Sequence, residues 1–149
     1  MRTNNESSNT PGPAGFPLFV DAGTDAVPNR PALIGGRCVC GHVFFPMQTY
    51  GCEKCGRYGE DLKKISLSGR GRLIAFARVY LHARPYPKVP FTVVVVALDD
   101  GPVIKALLDP AVDDELRSGA VMVAKLVQQR REGGMQNVLR FARADRGGA

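Results

Sequence analysis

The feature that most constrains this chain is a short stretch, residues 38–56, which reads CVCGHVFFPMQTYGCEKCG and holds every cysteine of the sequence. The cysteines form two close pairs, Cys38 with Cys40 and Cys52 with Cys55. Two short pairs on adjacent turns can place four sulfurs at the corners of a tetrahedron, as a structural zinc ion requires at about 2.3 Å from each thiolate. A glycine follows each pair, so the chain can turn sharply and direct backbone N–H groups at the thiolates. The spacing therefore predicts one structural zinc ion bound by all four cysteines.

Three other uses of the cysteines stay open at this point. Two disulfides need an oxidising compartment, but residues 1–15 are polar and lack the apolar core of a signal peptide. A redox pair in a thioredoxin-like fold needs a βαβ pattern, which does not surround the second pair. Reduced thiols without a full metal complement are the third use. Because the spacing of Cys38 and Cys40 is one residue tighter than usual, His42 is a candidate replacement for a weak cysteine ligand.

The composition is that of a compact folded chain with a basic surface. With 149 residues and 44% hydrophobic content, the chain suits one compact domain with a small appendage. No apolar run approaches the roughly 20 residues of a membrane span, and without an export signal the cytoplasm is the expected location. The net charge of +6 favours an anionic partner, such as nucleic acid, a phosphorylated cofactor or an acidic protein surface.

The order of segments predicts three parts: a flexible tail and N-terminal docking arm over residues 1–32, a zinc ribbon over 33–60, and a barrel over 61–149. Residues 1–15 are polar and rich in Pro and Gly, so they bury too little apolar surface to fold alone. Residues 16–20 are apolar, and they either pack back on the body or dock on a partner. A small ribbon cannot bury all of its phenylalanines, and exposed apolar clusters mark interaction sites. The predicted partner interface consists of Phe16, Leu18, Phe19, Val20, Phe44 and Phe45.

Turn signals divide the second half of the chain into short strands, with almost no helix. Gly69 and Gly71 predict a bulge or bend that lets one long strand serve both sides of a barrel. The apolar run 92–98 predicts a central strand with both faces covered. Five or six strands in this order predict an all-β, five-stranded Greek-key barrel, the OB-fold. The expected strands are 33–37, 43–46, 62–67, 72–81, 92–98, 103–108, 120–128 and 138–142, with one helical turn within 109–118.

Several short motifs also occur in an order that is similar to one known family. They are GRC at 36–38, CGHV at 40–43, FP at 45–46, CEKCG at 52–56, SGRGRL at 68–73, PF at 90–91, LDDG at 98–101, and Gly119 with Val121 and Val123. Together they resemble the DUF35 family, whose members join a rubredoxin-like zinc ribbon to an OB-fold and are associated with thiolases. The resemblance covers residues 33–143 and depends on order and spacing. It departs from the family pattern at the tight Cys38-x-Cys40 pair and at Met47, where a second proline is common.

The resemblance implies a non-catalytic accessory subunit that forms a hetero-oligomer with a thiolase-superfamily enzyme. In such complexes the partner carries the nucleophilic cysteine and the acid–base histidines, while the accessory chain stabilises the partner and borders its acyl-CoA entrance. Relatives serve archaeal acetoacetyl-CoA thiolase and hydroxymethylglutaryl-CoA synthase assemblies, steroid side-chain aldolases, and the benzoylsuccinyl-CoA thiolase of anaerobic toluene degradation. The stretches GGRC and CGHVFFP are most similar to the accessory subunits of the last group.

If the chain borders an acyl-CoA entrance, some of its cations should face that entrance. Coenzyme A carries several phosphate charges, and arginine binds phosphate through paired donors. The proline-rich loop 83–90 lies between two predicted barrel strands, where binding groups usually sit. We expect Arg84 and Lys88 to contact phosphate, and Tyr86 to lie against the pantetheine arm or the acyl group. The coenzyme A thioester would be contacted only together with the partner.

No independent active site is expected. If zinc occupies the cysteines, His42 and His82 are the remaining groups that titrate near neutral pH. A closed four-sulfur zinc site has no open position for activating water. The main rival function is that of a single-stranded nucleic-acid-binding OB-fold, which stacks bases on exposed aromatic rings in a basic groove. The chain has no Trp, and its predicted strands carry Val, Leu and Ala where such a platform needs rings, so nucleic acid is not the expected partner.

Overall fold

The computed structural model describes residues 15–21, 31–131 and 133–144, and these form an all-β structure. Within them the strands are β1 (Phe19–Asp21), β2 (Pro31–Cys38), β3 (Val43–Phe44), β4 (Leu62–Leu67), β5 (Arg70–Val79), β6 (Phe91–Leu98), β7 (Val103–Leu107), β8 (Val121–Arg131) and β9 (Gly134–Arg143). One 3₁₀ turn, Gly59–Asp61, precedes β4. In this part of the chain no helical segment has the length and hydropathy needed to cross a membrane. Except for its last residue, the predicted flexible tail 1–15 lies outside the described residues.

Strand β2 is the centre of the first sheet. It pairs antiparallel with β1 and β3 along one edge and with β4 along the other. A side chain at Gly36 would collide with the Phe44 ring and would come within 2.7 Å of the Met47 sulfur. Because glycine leaves this space open, the ring packs directly on the β2 backbone and forms the small core of the ribbon.

The second sheet closes into a barrel. Its strand order is β7-β6-β5-β8-β9, and its two outer ends meet where Leu108 and Phe141 form a parallel bridge. This order is that of a five-stranded Greek-key barrel, so the predicted all-β fold with a zinc ribbon and an OB-fold is confirmed. The barrel interior is filled by Leu73, Val94, Val96, Leu98, Ile104, Leu108, Leu116, Met122, Leu126 and Phe141.

The bulge in the first barrel strand occurs at a different position from the predicted one. The β5–β6 register shifts between Leu73 and Ala75, which places the irregularity at Ile74 rather than at the glycines. Gly71 has another role, since a Cβ there would collide with the carbonyl oxygen of Ala97. The bulge was predicted at the wrong position, because nothing in an isoleucine residue signals one, whereas the alternative of a bend is found at Gly69, whose φ angle is 74°, between β4 and β5.

Three further expectations are wrong in detail. The expected helical turn within 109–118 is an irregular loop. Strand β6 is central, but its residues alternate between buried and half-exposed, because one face lines the barrel core and no second layer of described residues covers the other. Strands β8 and β9 extend beyond the predicted 120–128 and 138–142, and pairs such as Gln128 with Asn137 continue their ladder. A polar hairpin of this kind lacks the apolar alternation that identifies a strand in a sequence.

The apolar segment 16–20 packs back on the body, which was one of its two predicted alternatives. Phe19 is fully buried, and the carbonyl oxygen of Leu18 accepts a hydrogen bond from β2 at 2.9 Å. Phe19 joins Leu33 and Leu67 of the first sheet in the same hydrophobic cluster as the barrel interior. Ribbon and barrel therefore share a core. The predicted domain boundaries stay predictions, and β4, which follows the predicted end of the ribbon, pairs with β2.

Candidate metal centre and neighbouring surfaces

The four cysteine sulfurs lie together at one end of the first sheet. All four are free thiols, and their Sγ atoms lie within 4.8 Å of one another. The Sγ atoms of Cys38 and Cys55 are 3.5 Å apart, and those of Cys40 and Cys52 are 3.8 Å apart. Sulfurs bound tetrahedrally to one zinc ion are about 3.8 Å from one another. The group can therefore hold a metal ion, and the tight first pair still brings both of its sulfurs into the cluster.

Two tight turns present these sulfurs. The Gly41 N–H donates to the carbonyl oxygen of Cys38 at 2.8 Å, and the Gly56 N–H donates to that of Cys52 at 2.8 Å. The two glycines have φ angles of 99° and 83°, a region that residues with a Cβ rarely adopt. In the second turn the Lys54 N–H points at the Cys52 sulfur, at 3.4 Å. Each turn thus forms where a glycine directly follows a cysteine pair.

The cysteines of the cluster differ in how readily they ionise. The Cys40 backbone N–H lowers the pKa of Cys38, but burial and the neighbouring thiols outweigh it and raise this pKa to about 12. Burial raises the pKa of Cys52, but the backbone N–H groups of Cys55 and Lys54 and the neighbouring thiols outweigh burial and lower this pKa to about 6. Four thiolates this close repel one another strongly. All four ionise together only when a cation lies between them, which is the situation of a metal site.

His42 connects the two cysteine-bearing turns. Its Nε2 lies 3.0 Å from Oε1 of Glu53 in the second turn, and its ring stacks on the Phe44 ring with centroids 6.3 Å apart. Among the described residues, the group able to hold a metal ion comprises the four cysteines and no histidine. The structure therefore gives His42 a bridging contact between the turns rather than the position of a replacement ligand.

The loop that carries the predicted coenzyme A contacts lies between β5 and β6. The side chains of Arg84, Tyr86 and Lys88 are all exposed, and neither cation forms an ion pair with a described residue. His82 donates from Nε2 to the carbonyl oxygen of Tyr86 at 3.1 Å, and its ring meets Phe91 edge-on at 5.3 Å. The three side chains are accessible, and their contact with coenzyme A stays a prediction.

Most of the residues predicted as a partner interface pack against other residues of this chain. Five of the six pack within it: Phe16, Leu18, Phe19, Phe44 and Phe45. Val20 is the exposed member, at 41% of its full accessible surface. The N-terminal segment completes the core that ribbon and barrel share, so its apolar residues have neighbours without a second protein. Their role in a partner interface stays a prediction.

Exposed apolar side chains are concentrated elsewhere, along β5 and the loop that follows it. Among the large hydrophobic residues that remain exposed are Ile74, Phe76, Tyr80, Leu81, Tyr86 and Val89. Of these, sequence reasoning singled out only Tyr86. A usable signal was present in the charges, since the sequence from Arg70 to Leu98 contains four arginines and a lysine but neither Asp nor Glu.

Comparison with known proteins gives a consistent family. A protein of Pyrococcus furiosus named DUF35 domain-containing scaffold protein is 30% identical over 111 residues, which are 69% of this chain and 76% of that protein. A protein of the same name from Methanocaldococcus jannaschii is 34% identical over 77 residues, or 50% of this chain and 53% of that protein. No family profile matches the chain.

One solved structure, described as Ltp2-ChsH2(DUF35) aldolase, is similar in fold. It aligns with a TM-score of 0.61 at 21% identity, and the alignment covers 76% of this chain and 85% of that chain. This chain, with its ribbon, barrel and four cysteines, aligns with 76% of the length of the Pyrococcus relative. On this identity and coverage, the chain belongs to the DUF35 family.

Proposed function

We propose that this protein is a non-catalytic accessory subunit of a thiolase-type acyl-CoA enzyme, in which the partner subunit performs the chemistry. The observation that carries the proposal is membership of a family whose matched relatives are named scaffold proteins. The fold-level likeness to the Ltp2-ChsH2(DUF35) aldolase agrees with a role beside an enzyme. Stabilisation of the partner and a position beside its acyl-CoA entrance are the contributions that we assign to this chain, in the cytoplasm.

In this proposal the cysteine cluster holds one structural zinc ion. Four thiolates in tetrahedral range are the ligand set that zinc prefers in structural sites. With Cys38, Cys40, Cys52 and Cys55 all bound, the ion would keep no position for water or substrate. Zinc would therefore hold the two turns together, and the residues of this chain would not use it in a reaction.

We further propose benzoylsuccinyl-CoA thiolase, of anaerobic toluene degradation, as the candidate complex. The amino-acid sequences of stretches 35–38 and 40–46 favour this complex. The exposed loop cations Arg84 and Lys88 suit the phosphate groups of a coenzyme A thioester. Tyr86, exposed in the same loop, would lie against the pantetheine arm or the acyl group.

Co-purification tests the accessory role. We expect the tagged full-length protein, expressed in its native host, to bring down a thiolase-superfamily subunit in stoichiometric amount, identified by mass spectrometry. We also expect weak binding of the purified protein to single-stranded oligonucleotides. Affinity for such oligonucleotides that falls steeply with added salt, together with no thiolase-type subunit in the eluate, would support the nucleic-acid-binding alternative instead.

Loss of the loop cations should weaken use of the acyl-CoA substrate by the reconstituted complex. Removing one charge-assisted hydrogen bond to phosphate costs about 1.5–3 kcal/mol, so Arg84→Ala and Lys88→Ala should each raise KM for the CoA thioester about tenfold or more. Assembly of the complex should be unchanged. The control is Arg130→Ala, which removes an exposed arginine from β8 and should leave KM unchanged. Wild-type KM and kcat in both loop variants would rule out a substrate role for this loop.

A further inference from the structure

The outer part of the β5–β6 hairpin has a strand neighbour on one side only. Strand β8 pairs with β5 only from Arg70 to Arg72, while β6 pairs with β5 as far as Val79. Past the bulge at Ile74, no described strand lies along the second edge of β5. The contacts along this edge come from the loop before β8: the Ser118 hydroxyl donates to the carbonyl oxygen of Ile74 at 3.3 Å, and Asp114 forms an ion pair with Arg78 at 3.2 Å. We call residues 74–95 the β5–β6 arm; its β6 part still pairs with β7 from Val93 and places Val94 in the barrel core, while the edge of β5 is open.

The arm carries several large apolar side chains that the other described residues of this chain leave exposed. Leu81 is 92% exposed. Val93 and Val95, on the outward face of β6, are only half-buried, although the continuous apolar run of that strand is typical of a strand covered on both faces. The other exposed apolar side chains of the arm are Ile74, Phe76, Tyr80, Tyr86 and Val89. Phe76 is the cross-strand partner of Val94, so it lies on the opposite face of the hairpin from Val93 and Val95. Large apolar side chains left exposed in one hairpin point to a protein interaction site.

The charges on the arm identify the type of partner. Arg84 and Lys88 have no ion-pair partner among the described residues, and neither Asp nor Glu occurs within residues 74–95. In a two-fold dimer formed through the arm, a second copy of this chain would present the same cations to this surface, and like charges brought together at an interface cost free energy. A surface with carboxylates at its edge would instead pair with them. The complementary occupant is therefore a different protein.

We propose that the β5–β6 arm is the docking element of this subunit, and that it binds an apolar protein surface edged by Asp and Glu. The inference rests on the proposed function in one respect, since it takes the thiolase-type subunit as the protein that carries this surface. Docking through the arm would cover the outward face of β6 and the open edge of β5. It would also bring the loop with Arg84 and Lys88 against the partner.

The test compares substitutions of opposite charge at one exposed position. Leu81→Asp and Leu81→Lys are made in the full-length protein, and binding to the purified thiolase-type subunit is measured by calorimetry. Because Leu81 makes little contact with its own chain, thermal unfolding should stay at the wild-type temperature in both variants. We expect Leu81→Asp to raise Kd at least tenfold more than Leu81→Lys does, since the acidic side chain meets a like-charged surface. Met135→Asp, at an exposed methionine of the β8–β9 hairpin, should bind as the wild type does.

Each outcome decides the inference. Equal binding by the wild type, Leu81→Asp and Leu81→Lys would reject the arm as the docking element while leaving the accessory role intact. Equal loss in both variants would reject the acidic character of the partner surface. A wild-type homodimer in solution that Leu81→Asp dissociates would show that a second copy covers the arm, and would overturn the inference. No binding by the wild-type protein would overturn the proposed function and this inference together.

Discussion

Replacement of Cys52 by serine is expected to remove the metal ion and unfold the ribbon. The Cys52 sulfur lies 3.8 Å from that of Cys40, and in a structural site of this kind the free energy of metal binding is free energy of folding. Elemental analysis should find one zinc ion per wild-type chain and almost none in Cys52→Ser or Cys55→Ser. Because Phe19, Leu33 and Leu67 belong to the core shared with the barrel, barrel stability should fall as well, which thermal unfolding would report.

Glu53→Gln is the matched control for the cysteine substitutions. It lies beside Cys52 in the same turn and removes the carboxylate that contacts His42 at 3.0 Å, but it leaves all four sulfurs in place. This exposed pair contributes little free energy, so zinc content and the unfolding temperature should match the wild type. Purified protein that contains two disulfides and no zinc would contradict the metal site, as would full zinc retention in Cys52→Ser.

The cysteine cluster and the succession of strands along the chain were predictable because both depend on local patterns. Closely spaced cysteine pairs followed by Gly41 and Gly56 identify the two turns without any knowledge of the rest of the chain. The run 92–98 likewise has too many β-branched residues to be anything but a strand. The order of such segments was enough to indicate a ribbon followed by a barrel.

What the sequence did not reveal depends on contacts between distant segments. Nothing local distinguishes a phenylalanine that docks on a partner from Phe19, which is buried against Leu33 from β2. The bulge at Ile74 likewise depends on where β5 must leave β8, which is a property of the closed barrel. The exposure of Leu81 could not be predicted, because it depends on whether residues from distant parts of the chain pack over it.

The shared core also connects the proposed docking arm to the candidate metal site. The ribbon sheet contributes Leu33 and Leu67 to the cluster that holds Val94 and Leu73 of the barrel. Val94 belongs to the β5–β6 arm, and Leu73 directly precedes it on β5. Disorder of the ribbon would therefore loosen the base of the arm, so the proposed zinc ion would support the proposed docking indirectly, through packing.

A second part of the barrel depends on a buried ion pair. Arg143 on β9 donates from Nε to Oδ2 of Asp113 at 2.6 Å and from Nη2 to Oδ1 at 3.2 Å. The Asp113 side chain is 2% exposed and that of Arg143 is 11% exposed. Asp113 Oδ1 also accepts the Glu115 N–H at 3.0 Å. One carboxylate thus shapes the loop 109–119 and fixes it to β9, close to where the barrel closes.

We expect Asp113→Asn to lower the free energy of unfolding by about 3 kcal/mol, because it leaves the Arg143 guanidinium largely buried without its main counter-ion. The estimate is at the low end of the range for such pairs because Glu115 still contacts Nη2 at 3.1 Å. Urea unfolding measures the change. Asp114→Asn is the matched control, since Asp114 is 86% exposed in its pair with Arg78 and should cost less than about 1 kcal/mol.

A double variant that removes both charges distinguishes the contribution of the ion pair to stability from that of the loop conformation. In Asp113→Asn combined with Arg143→Met, no buried charge is left without a partner, so the double variant should be more stable than Asp113→Asn alone. The remaining loss would report the hydrogen bond from the Glu115 N–H and the packing of the loop. If Asp113→Asn costs no more than Asp114→Asn, then the loop is held by its backbone hydrogen bonds, such as Asp109 N–H to the carbonyl oxygen of Phe141 at 2.9 Å, and the ion pair contributes nothing measurable to closing the barrel.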